Sequence, residues 1–152
     1  MLASFARWVA VVALIMPITA AAHEVLPSIA DMEARDGVLA FDVRANLEGF
    51  VAGIDLTATA DTNAAPQAME YDTLRALPPD ALADRFRAHW ASMAPRIFVR
   101  VDGVDQPVTL LAVNPGEVGD VNLARSSNFS FSAPLPDGAA TVQVGWAAQF
   151  GS

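Results

Sequence analysis

His23 and His89 are the only histidines in this 152-residue chain, and since cysteine is absent they are its strongest candidate metal ligands. His23 directly follows Ala20, Ala21 and Ala22, so cleavage after Ala22 would make it the first residue of the mature chain. Its free α-amine and its imidazole could then chelate one copper ion together, because imidazole nitrogen suits copper. His89 would be the second ligand. It also falls at helical spacing beside Leu82, Phe86 and Met93, at the edge of an apolar stripe, where a half-buried packing role serves equally well. Tight Cu(II) binding needs several converging ligands, and two are visible. No cofactor is expected, and copper held by these residues is the alternative.

Other reactive arrangements are missing from the pattern. No serine stands in a Gly-x-Ser-x-Gly setting, and a Ser-His-Asp triad would have to draw His89 from a packed helix face. Asp31 and Glu33 project from one strand face, but with 17 acidic residues such pairs arise readily and read as solvated surface. The Asn128-Phe129-Ser130 sequon carries no functional expectation in a bacterial chain. The lack of cysteine excludes thiolate metal sites, cysteine nucleophiles and thiol redox chemistry. The expectation is a protein that is not an enzyme.

The N-terminus sets the compartment. Arg7 is the one charge ahead of the apolar run Trp8 to Ile18, and the small residues Ala20 and Ala22 then frame a cleavage site. This is the order of a secretory signal peptide, expected over residues 1–22. The run falls well short of the roughly 20 apolar residues that span a bilayer. The mature chain, residues 23–152, is expected to be one domain in the periplasm or on the periplasmic face of the inner membrane. Loss of Arg7 takes the formal charge from −8 to −9, and all nine basic residues are arginine. Such a surface repels phosphate backbones, so nucleic acid is not an expected partner. A hydrophobic share of 53% is enough for a core and argues against disorder.

Any functional residue must be held by the elements between these ends. Three Asp-Gly pairs, at Asp36-Gly37, Asp102-Gly103 and Asp137-Gly138, each lie between β-rich runs and predict three hairpins. The first joins Ser28 to Ala34 with a strand in which Leu39, Phe41, Val43, Ala45 and Leu47 share one face. The second joins Ile97 to Val101 with Val108 to Val113. The third joins the strand of Phe129 and Phe131 with that of Ala140, Val142, Val144 and Trp146. Between the first two hairpins, Leu82, Phe86, Trp90 and Met93 recur at helical spacing behind Pro78, Pro79 and Asp80, and Pro95 ends that helix. A shorter helix is expected over residues 67–76, and a strand with a surface loop over residues 49–65. The fold class is mainly β: an antiparallel, Ig-like β-sandwich of six strands with a two-helix insertion, its helix confined to residues 66–93.

The string Ala22-His23-Glu24-Val25-Leu26-Pro27, and Phe98-Val99-Arg100-Val101-Asp102-Gly103 after a helical insertion, resemble the extracytoplasmic N-terminal region of HupE/UreJ-like membrane proteins. In that family the region precedes transmembrane helices, so the resemblance implies a noncatalytic binding or accessory domain, a membrane portion of the same protein as partner, and a link to metal handling. The ordered, apolar character of Trp146 to Phe150 just before Gly151-Ser152 fits a chain that is the front part of a longer one. An exported sandwich beginning with histidine also resembles CopC-like copper carriers and lytic polysaccharide monooxygenases. That likeness implies the alternative, a periplasmic copper-binding protein using His23.

Overall fold

The strictest alternation in the sequence forms the best-buried strand. Leu39, Phe41, Val43 and Ala45 are each buried, while the residues between them face outward. They lie on β2 (Val38–Ala45), which pairs in antiparallel fashion with β1 (Ile29–Arg35). The structure, a computed structural model, describes residues 27–59 and 61–150. The expected signal segment, residues 1–22, and His23 lie outside them.

Asp36 and Gly37 both take positive φ, the geometry of a type I′ hairpin turn that Asp-Gly favours, and Asp102 and Gly103 repeat it. The chain then runs through α1 (Leu47–Ala52), α2 (Ala68–Arg75) and α3 (Pro79–Met93) to β3 (Ile97–Val101) and β4 (Val104–Gln106). β5 (Thr109–Asn114), β6 (Ser127–Pro134) and β7 (Val142–Trp146) complete it. One sheet has the order β1-β2-β6-β5 and the other β4-β3-β7, all pairs antiparallel. The architecture is a β-sandwich-like fold with a helical insertion.

The inner faces of both sheets and the helices share one core. Phe41 stacks on Phe131 with ring centroids 4.5 Å apart, and Phe86 and Trp90 of α3 lie 5.0 and 6.2 Å from the ring of Phe129. Val99 and Val101 of the second sheet are buried in the same cluster. Pro79 opens α3, where its missing N–H costs nothing, and Pro95 falls in a tight 3₁₀ turn that ends it. No helix among the described residues is long and apolar enough to cross a membrane.

Four expectations are corrected. The described residues of 49–65 hold no strand: Asn46 accepts a hydrogen bond from Gly49 N–H and Gly53 closes the helix at φ 72°, so α1 forms outside the 66–93 region and takes Leu47 with it. The partner of β3 in the second hairpin is the short β4, because Pro107 has no N–H to extend that ladder, and β5 crosses to pair with β6. The Asp137-Gly138 pair makes no hairpin, since β6 and β7 belong to different sheets and only Gly138 has positive φ. The strands therefore number seven among the described residues, and β1 is an edge whose seven residues are all exposed.

Candidate functional site

His89 lies on α3, half-buried at the edge of the stripe formed by Leu82, Phe86 and Met93. Its backbone carbonyl accepts from the Ser92 hydroxyl at 2.7 Å, and that hydroxyl stands 3.4 Å from each ring nitrogen. Burial, helped by the positive charge of Arg96, holds its pKa below the usual imidazole value. A neutral imidazole can ligate a metal, but a neighbouring guanidinium repels one. Among the described residues no group of three or more His, Asp or Glu side chains converges to hold an ion. Asp31 and Glu33 are exposed on β1, and Asp31 stands in register with Asp42.

The densest polar chemistry lies elsewhere, where α1 and α2 meet residues 115–126. Capping by Asn46 starts α1 and turns Glu48 inward, where it is fully buried. Arg125 Nε donates to Glu48 Oε1 at 2.5 Å, and the same guanidinium donates to the carbonyls of Gly116 and Leu74. From α2, Tyr71 accepts a 2.6 Å hydrogen bond from Asn46 Nδ2, and Arg75 lies over the Tyr71 ring at 4.7 Å while pairing with Asp72. Glu48 Oε2 and the Nε and Nη1 of Arg75 are buried without a hydrogen-bond partner among the described residues.

Burial drives the Glu48 carboxyl above its ordinary pKa, against the hydrogen bond and charge of Arg125 and the charge of Arg75. Burial likewise raises the Tyr71 phenol, with the Asn46 hydrogen bond opposing. A carboxyl shifted by burial beside a charged partner is a candidate for chemistry where it lies in a cleft, and structural ion pairs shift in the same way. Here the side chain of Glu48 is 0% exposed and that of Arg125 9%, so no substrate reaches the carboxyl without displacing residues 115–126. The cluster fastens three segments together.

Among the described residues, a groove of about 210 Å³ is lined by Pro27, Ile29, Arg44, Ala45 and Ser126. It is mostly apolar and smaller than the clefts of roughly 300–1,000 Å³ that enclose typical small ligands. Arg44 at its wall makes no ion pair among the described residues.

Sequence reasoning missed the Glu48 cluster. Asn46 and Gly53 were readable as helix caps, but nothing local connects Glu48 with Arg125. Comparison with known proteins finds no matching family model, no matching curated protein and no matching solved structure.

Proposed function

We propose that this chain is a noncatalytic extracytoplasmic binding or accessory domain, exported by its first 22 residues and serving a membrane portion of the same protein linked to metal handling. One observation carries the reading: the acid best placed for chemistry, Glu48, is sealed and committed to holding α1, α2 and residues 115–126 together. In this reading the buried pair serves to hold one arrangement of these segments rather than to supply net stability. The location and the metal link rest on the signal-like N-terminus and on the resemblance of the mature start and the β3–β4 turn to HupE/UreJ-like proteins.

The test uses the complete reading frame with a C-terminal tag, expressed in a bacterium. Fractionation and intact-mass analysis should find a chain starting at His23 on the periplasmic side. A tagged protein retaining Met1 in the cytosol would sink the export reading. In a deletion strain grown under metal limitation, a folded Glu48→Gln chain should restore growth as the parent does. A folded, exported yet inactive Glu48→Gln chain would place chemistry at Glu48 instead.

A further inference from the structure

Two of the three Asp-Gly pairs build hairpin turns, and the third, Asp137-Gly138, joins strands of different sheets. An Asp-Gly pair also carries a reaction of its own. The backbone nitrogen of the glycine can attack Cγ of the aspartate, and glycine has no side chain to hinder the approach. The ring this closes needs Cβ and the attacking nitrogen on the same side of the Cα–C bond, a setting outside the ordinary backbone regions. A pair fixed in a turn must therefore open locally before it reacts, and the cost of opening sets the order in which the pairs react.

The two hairpin pairs are held from several sides. Asp36 (φ 49°) and Gly37 follow the Arg35–Val38 pair that closes a continuous ladder of seven pairs, and the Gly37 carbonyl accepts from Leu135 N–H at 2.8 Å. Asp102 (φ 47°) is held more firmly. Its N–H donates to the Thr141 carbonyl, and its carboxylate accepts from Ala140 N–H, Thr141 N–H and the Thr141 hydroxyl. Those hydrogen bonds also keep the carboxyl below the usual aspartate pKa, and an ionised carboxylate is a poorer electrophile than the acid.

Asp137 has neither kind of restraint. It is exposed, its φ is not positive, and its carboxylate makes no hydrogen bond or ion pair among the described residues. Its turn is closed by one backbone hydrogen bond, from Ala139 N–H to the Pro136 carbonyl at 3.3 Å, and lies between β6 and β7, outside both ladders.

We propose that Asp137-Gly138 is the site of spontaneous isomerisation in this chain, passing through a succinimide to isoaspartate well ahead of the other two pairs. The Gly138 nitrogen bonds to Cγ of the protonated Asp137 carboxyl, the Cγ–OH bond breaks, and the hydroxyl leaves with the amide proton as water. Water then adds back to the ring. Breaking the new N–Cγ bond restores aspartate, whereas breaking the bond from nitrogen to the original main-chain carbonyl leaves isoaspartate, whose main chain runs through Cβ and Cγ. No oxidant or cofactor is consumed, and the product has the mass of the parent.

Ageing the purified protein at mildly acid pH and mapping it with trypsin reads the three sites apart. Cleavage after arginine puts Asp36 in residues 36–44, Asp102 in residues 101–125, and Asp137 in a third peptide as the one acidic residue of 126–152. Electron-transfer fragmentation and methylation by an isoaspartyl methyltransferase both mark isoaspartate. In the folded protein the third peptide should gain it several-fold faster than the first, with Asp102 slowest. In guanidinium chloride the three rates should converge, since the Asp-Gly sequence is common to all. Asp137→Glu, whose longer side chain closes a less favourable ring, should remove the signal from the third peptide while circular dichroism and melting stay as in the parent, and Asp137→Ser should do the same. A signal that persists in both variants would come from Asn128 and overturns the proposal. Equal rates in the folded protein, or isoaspartate arising first at Asp36 or Asp102, overturn it as well. So does a folded protein that forms none at Asp137 while the unfolded chain does, because that turn would then be held as tightly as the hairpins.

Discussion

Arg125 and Glu48 stand 77 positions apart in sequence, yet Nε of the one donates to Oε1 of the other at 2.5 Å inside the protein. Removing the arginine leaves a carboxylate with no exposure and its main counter-charge gone. Arg125→Ala should therefore cost about 3–5 kcal/mol of unfolding free energy at neutral pH, the usual penalty for orphaning one partner of a buried pair. Urea unfolding measures it. The cost should shrink in acid, where a protonated Glu48 needs no counter-charge, and a variant as stable as the parent would remove the fastening role assigned to the pair.

The pH dependence of Glu48 has a definite sign. Burial raises its folded pKa above the ordinary value of 4.5, with Arg125 and Arg75 opposing and the Tyr71 ring nearby. The folded chain thus keeps the proton to higher pH than the unfolded chain does. The stability this carboxyl contributes is complete below its unfolded pKa and is lost as pH rises through the folded one. Glu48→Gln stays neutral throughout, so relative to the parent it should gain stability as pH climbs through the window above 4.5. Parallel denaturation series across that window check this. A trend of opposite sign would mean that Arg125 outweighs burial.

Phe86 has no exposed surface, and its ring centroid lies 5.0 Å from that of Phe129. It is the point where α3 seats on the inner face of the first sheet. Phe86→Ala should cost about 3–5 kcal/mol, because transfer and cavity terms add in a core that cannot collapse around the gap. Thermal melting is the measurement. A loss below about 1 kcal/mol would mean that the helix is not bound to the sheet through this ring.

What the sequence made legible follows the range of the interaction behind each element. The face of Leu39, Phe41, Val43 and Ala45, the Asp36-Gly37 turn and the helix of residues 79–93 each depend on neighbours within a few positions, and all three stand in the structure. The third Asp-Gly pair has the same local signal as the first. Which sheet a strand joins is decided by distant pairing, however, and β7 found β3 rather than β6. α1 was hidden because Phe50, Val51, Ile54 and Leu56 suit a buried strand as well as a buried helix, and its caps at Asn46 and Gly53 outweigh that pattern. Glu48 reads as one surface acid among seventeen, because Arg125 is brought to it only by the folded topology.

The last prediction separates the two histidines. His23 lies outside the described residues, whereas His89 is fixed on α3 with Ser92 beside it and the positive charge of Arg96 acting on it. A cation placed at His89 meets that charge, and among the described residues His89 belongs to no group of three or more His, Asp or Glu side chains that could hold an ion. If the processed chain holds Cu(II) through its terminal amine and His23, one residue added ahead of His23 should abolish binding by moving the amine out of chelating position, while the fold stays intact. His89→Ala should leave copper affinity unaltered, and truncating a half-buried ring should cost only modest stability. Calorimetric titration of the three forms reads both effects. Equal and weak uptake by all three is the expected outcome, since two nitrogens from one residue fall short of the converging ligand set that a tight site needs. Tight binding lost on both changes would instead bring His23 and His89 onto one metal and favour the copper-binding alternative.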